Sequence, residues 1–149
     1  MNSISVHKIS TLLGCMGLLP FIGALFGSLR DIAILSNNAQ WLFASYSAVI
    51  LSFLCGSLWG RSLSGNFNVS SGLLMTVSNL VALLAWMSLL NSSSQLKSSI
   101  GLLGFGYLVV LACEHVASEK MYHNVYFGYL RLRWGLTIAV VIMHILMFY

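Results

Sequence analysis

Charge is almost absent from this chain. Its 149 residues include seven Lys and Arg and three Asp and Glu, 7% in all, where a soluble domain carries about 25%. So few charges cannot cover a water-facing surface, and a soluble globular domain is excluded. Proline is as scarce: the single one, Pro20, interrupts an apolar run. The three cysteines, Cys15, Cys55 and Cys113, all lie within apolar stretches, which excludes a disulfide framework of the secreted kind. Missing too are a Walker loop, a Gly-x-Ser-x-Gly elbow, a His-Glu-x-x-His pair and a dinucleotide fingerprint. No enzymatic activity, cofactor or metal site is expected.

Apolar residues fill the space instead, at 58% of the chain and a mean hydropathy of +0.90. They fall into five stretches, Ile9–Leu29, Trp41–Gly60, Leu73–Leu90, Ile100–Ala117 and Leu132–Phe148. A bilayer core takes about 20 residues of helix, and tilt or local thinning covers the shortfall of the shorter ones. The expected fold is all-α: one integral membrane bundle of five transmembrane helices over residues 1–149. The first stretch exceeds the apolar core of a signal peptide and has no small-residue cleavage site behind it, so it reads as a retained helix. The longest joints, Arg61–Gly72 and Ser118–Arg131, leave no room for a soluble domain. Asn68-Val69-Ser70 and Asn91-Ser92-Ser93 sit too near the bilayer for glycosylation.

With five spans the two ends of the chain face opposite sides. One side holds Lys8, Arg61, Lys120, Arg131 and Arg133, and the other Arg30 and Lys97. That asymmetry predicts a cytoplasmic N-terminus and a periplasmic C-terminus. The basic excess orients the chain and attracts anionic headgroups weakly; it calls for no nucleic acid.

Small and polar residues inside the spans are candidates for helix packing. The first stretch carries Gly14, Gly17, Gly23 and Gly27 around Pro20, and the second carries Gly56 and Gly60. Gly-xxx-Gly spacing lets a second backbone approach closely. Pro20 should kink its helix and free the carbonyl near Met16, for packing or else for a hinge or binding notch. Asn79, deep in the third stretch, should bond to another helix or line a polar pathway. Cys15, Cys55 and Cys113 read as packing residues, since thiols in apolar surroundings stay protonated and inert. The histidines do not pair for haem: His144 lies near one face, and His7, His115 and His123 near the other.

Threaded through this topology, Arg61, Glu114, His115, Arg131 and Arg133 converge at the cytoplasmic face, with Glu119, Lys120 and His123 in the joint beside them. Glu114 lies deep enough to require a partner, and either Arg131 or Arg133 can offer its fork. The cluster clamps the last two helices, accepts protons or binds an anionic headgroup, or marks topology.

Three segments carry a family likeness. They are Leu13-Gly14-Cys15-Met16-Gly17-Leu18-Leu19-Pro20-Phe21, the run from Tyr46 through Cys55-Gly56-Ser57-Leu58-Trp59-Gly60, and Tyr129-Leu130-Arg131-Leu132-Arg133. In order and spacing they resemble the family called domain of unknown function 3429. Members often carry a basic residue before the Trp-Gly pair, where this chain has Leu58 and reaches Arg61 one turn later. The resemblance implies a small polytopic protein of the bacterial inner membrane, with a mitochondrial branch, and no assigned biochemical role. The expected role is that of an accessory or assembly subunit beside a larger membrane protein, or a homo-oligomer. A small proton-linked carrier or channel is the alternative, and a lipid or quinone binder the third.

Overall fold

The computed structural model describes residues 3–30, 38–64, 69–91, 95–119 and 126–148. Lys120 and His123, expected near the polar cluster, lie outside them. Among the described residues all regular structure is helical, in the order α1 (Ser3–Met16), α2 (Leu19–Leu29), α3 (Ala39–Ser64), α4 (Val69–Asn91), α5 (Leu96–Glu119) and α6 (Tyr126–Phe148). Five spans are long and apolar enough to cross a membrane: Thr11–Leu29, Ala39–Leu63, Ser71–Asn91, Leu96–Ala117 and Leu130–Phe148. The chain is a multi-pass membrane protein.

The first span is broken into α1 and α2. Pro20 occupies the first turn of α2, where its missing N–H costs no helical bond. The break therefore falls upstream, at Gly17–Leu18, where the Leu18 amide bonds back to Cys15 in a tight turn. In lipid a loosened carbonyl needs a donor. Here the carbonyl served by a neighbour is that of Gly17, and the Tyr46 hydroxyl on α3 reaches it at 3.0 Å.

The long helix α3 is the hub, packing against α2, α4 and α5, while α6 packs against α5, α2 and α1. Lipid tails are as apolar as leucine, so burial alone does not drive helices together there; small residues and hydrogen bonds decide the contacts. Along α3 the buried face is Ala44, Ser47, Ala48, Leu51 and Cys55, small enough for close neighbours. On α5 the close approaches are at Gly104 and Gly106. A Cβ at Gly104 would lie 3.3 Å from His144 Cβ, and one at Gly106 would lie 2.6 Å from Leu51 Cδ2.

The glycines of the first two spans divide. Gly14 is held against Leu136 of α6, where a Cβ would lie 2.8 Å from Cδ1. Gly17 abuts the carbonyls of its own turn, and Gly27 is buried. A Cβ built at Gly23, Gly56 or Gly60 meets no atom within 4 Å. The close packing expected at those three is supplied by α5 instead.

Candidate functional site

Glu114 lies on the last turns of α5, about 7–8 Å from the helix end at 1.5 Å per residue. Its side chain is 1% exposed. A lone carboxylate so buried would cost several kcal/mol, so pairing is obligatory. Oε1 accepts from Nη2 of Arg61 at the end of α3, and Oε2 accepts from Nε of Arg133 at 2.7 Å. The cluster thus ties three helices together rather than two. Arg61 is half-buried and also touches the Ser57 carbonyl at 3.4 Å through Nε.

Arg131 and His115 stand elsewhere. Residues two apart on a helix are turned about 200° from one another, so only one of Arg131 and Arg133 can face inward. Arg133 does, and Arg131 is exposed. His115 follows Glu114 directly and points outward, edge-on to the Trp134 ring with centroids 6.2 Å apart.

Arg133 begins an inward stripe of α6 that continues through Thr137, Val140 and His144, all buried. At its far end the polar groups are fully matched. His144 Nδ1 donates to the Val140 carbonyl at 2.8 Å, since a carbonyl can only accept. In the neutral ring Nε2 then accepts from the Ser47 hydroxyl, also at 2.8 Å. The carbonyl of Ser47 in turn accepts from the Tyr107 hydroxyl at 2.9 Å. Phe43 packs edge-on to the imidazole, centroids 4.7 Å apart. His144 is therefore a satisfied core residue. Reading the histidines only against one another missed a partner set made of Ser47 and Tyr107.

At the near end the matching is incomplete. Arg133 Nη2 and Thr137 Oγ1 are buried and have no hydrogen-bond partner among the described residues. Both residues line a cavity of about 400 Å³ enclosed by α1, α2, α3, α5 and α6, together with Gly14, Phe21, Ser57 and Tyr107. A separate notch beside Pro20 is bounded by Gly23, Leu42, Ser45, Tyr46 and Val49. Its hydroxyls are engaged, Ser45 with the Leu42 carbonyl and Tyr46 with that of Gly17.

Asn79 departs from expectation. The inward residues of α4 are Ser71, Ser78, Val81, Ala85 and Ser88, and Asn79 is turned about 100° from Ser78. It is exposed, near the middle of the span Ser71–Asn91, with no hydrogen bond to any described residue. The cysteines remain free, with Cys55 buried, Cys113 half-buried and Cys15 exposed. Among the described residues no group of three or more His, Cys, Asp or Glu is placed to hold a metal.

Comparison with known proteins adds one finding. A family model described as "Protein of unknown function (DUF3429)" matches residues 6–149, essentially the whole chain. The chain belongs to the DUF3429 family. The three segments of family likeness map onto the α1–α2 break, the body of α3 and the start of α6, which are walls of the central cavity. No curated protein and no solved structure matches this DUF3429 chain.

Proposed function

We propose that this DUF3429 protein is a non-enzymatic accessory subunit of a larger membrane assembly, docked through the outward face of α4. The observation that carries the reading is Asn79. An amide at mid-membrane depth has no water to bond, and leaving it bare in hydrocarbon costs several kcal/mol. A helix of a neighbouring subunit with a polar side chain at the same depth relieves that cost. Gly72, Thr76 and Asn79 recur at helical spacing and are all exposed. At Gly72 a Cβ would meet nothing within 4 Å, so a second backbone has room to approach. The Thr76 hydroxyl is turned back onto the Gly72 carbonyl at 3.0 Å, which leaves its methyl for packing.

The polar cluster weighs against a proton-linked carrier. Both carboxylate oxygens of Glu114 are engaged, by Arg61 and by Arg133, and its side chain is 1% exposed, so the cluster is built as a clamp and not as an open pathway. The basic asymmetry of the sequence, with Lys8, Arg61, Lys120, Arg131 and Arg133 on one side and Arg30 and Lys97 on the other, supports a cytoplasmic N-terminus.

Gentle detergent extraction followed by native mass spectrometry tests the assignment. A stoichiometric complex with a larger membrane subunit is expected, and Asn79→Leu should dissociate it while the bundle itself stays folded. A monomer, a homodimer alone, or a complex indifferent to Asn79→Leu overturns the reading.

A further inference from the structure

We infer that the cavity between the broken first span, α3 and α6 is a binding site for a lipophile headed by a hydrogen-bond-accepting oxygen. Burial decides the matter first. Arg133 is 7% exposed and Thr137 2%, yet Nη2 of one and Oγ1 of the other have no partner among the described residues. A buried donor left unmade costs about 1–3 kcal/mol, and more when it is charged. Helical threonines usually recover that loss by bonding to the carbonyl one turn back, as Thr76 does. Thr137 does not, although Arg133 stands one turn before it on the same face.

The setting turns this deficit into recognition. Both residues line one cavity of about 400 Å³, within the usual size range of small-molecule sites. Ser88, the other buried side chain among the described residues whose oxygen lacks a partner, does not line it. Apart from Arg133, Thr137, Ser57 and Tyr107 the walls are aliphatic side chains, glycines and the two phenylalanines Phe21 and Phe53. Leu13 and Phe53 line the cavity and are also 62% and 71% exposed. The cavity therefore reaches the lipid-facing surface between α1 and α3, and a ligand can enter from the bilayer.

The chemistry of the ligand follows from the donors. Nε of Arg133 is committed to Glu114, so the guanidinium offers its remaining edge, and a guanidinium only donates. The hydroxyl of Thr137, about 6 Å further along the helix axis, adds a second contact. The head must then present an acceptor oxygen, such as an acyl carboxylate or a quinone carbonyl, on an apolar body. The notch beside Pro20 lacks this property because its hydroxyls are already engaged.

The test is a native mass-spectrometric titration of the delipidated full chain with oleate, decylubiquinone and 1-octadecene. One saturable adduct is expected with oleate or with decylubiquinone, and the tighter of the two identifies the source of the oxygen. The hydrocarbon, which has no head, should fail to compete. Thr137→Val should weaken binding about fivefold, the effect of one hydrogen bond of about 1 kcal/mol. Ser57→Phe, which fills the cavity and touches neither donor, should abolish it. Equal binding of 1-octadecene, or an unchanged affinity in Thr137→Val, overturns the site. Should Ser57→Phe fail to fold, those two comparisons decide alone. Failure here leaves the docking role of α4 untouched, since Asn79 is remote from the cavity walls.

Discussion

The two ends of the inward stripe on α6 treat polar groups differently. Toward the C-terminus, His144, Ser47 and Tyr107 form a chain of hydrogen bonds in which every donor meets an acceptor. Toward the N-terminus, Arg133 and Thr137 keep a donor and a hydroxyl back, and they do so against a cavity. The backbone, the depth of burial and the helix face are shared, so these cannot explain the difference. Hydrogen-bond accounting separates the two: the saturated end is architecture, and the unsaturated end is shaped for something else. In hydrocarbon this accounting is stricter than in a soluble core, because no stray water settles the balance.

The largest effect is expected where the two ends of the stripe are anchored to the rest of the bundle. Glu114→Leu leaves the buried Arg133 guanidinium without its carboxylate and deprives Arg61 of one. Removing one partner of a buried ion pair costs about 3–5 kcal/mol, a large part of any bundle's stability. Thermal unfolding in mild detergent should show a steep fall in the midpoint and in folded yield. An unchanged midpoint would mean that the clamp carries no structural load. At the other end, His144→Phe keeps ring packing against Phe43 and Tyr107 but strands the Ser47 hydroxyl. A cost of about 1–3 kcal/mol is expected by the same measurement. If His144→Phe proved costlier than Glu114→Leu, the ranking of the two ends would be reversed.

How much of this was legible in the sequence depends on whether depth or rotation was the question. Hydropathy reads depth well, and the five spans follow from it because a bilayer accepts only helices of a certain length. Rotation about each helix axis is set by neighbours that hydropathy does not name. Asn79 was legible as a mid-span amide, but its outward direction follows from which α4 residues meet α3 and α5. The Gly56 and Gly60 pair met the spacing rule and faces open space, whereas Gly104 and Gly106 bear the close contacts. One rotational signal was present. Arg133, Thr137, Val140 and His144 recur at intervals of four, three and four, the spacing of a shared face. That stripe favours Arg133 over Arg131 as the partner of Glu114. The cavity was not legible, because it depends on where the first span breaks, and the proline marks the start of α2 rather than the kink itself.

The smallest effect sharpens the comparison most. Ser47→Ala and Thr137→Val each delete one buried hydroxyl, at opposite ends of the stripe. The Ser47 hydroxyl serves His144 at 2.8 Å, so its loss leaves Nε2 unmatched and should cost about 1 kcal/mol. The Thr137 hydroxyl serves no described group. Valine keeps its shape, and removing an unpaired buried oxygen should leave the empty protein as stable as before, or up to about 1 kcal/mol more stable. Unfolding midpoints of the two variants, measured on delipidated protein, should therefore move in opposite directions or differ by a clear margin. A Thr137→Val protein as damaged as Ser47→Ala would show that the hydroxyl has a structural partner, and the contrast along α6 would vanish. A stability unaffected by Thr137→Val, joined to weakened ligand binding, is the pairing that a purely structural threonine cannot produce.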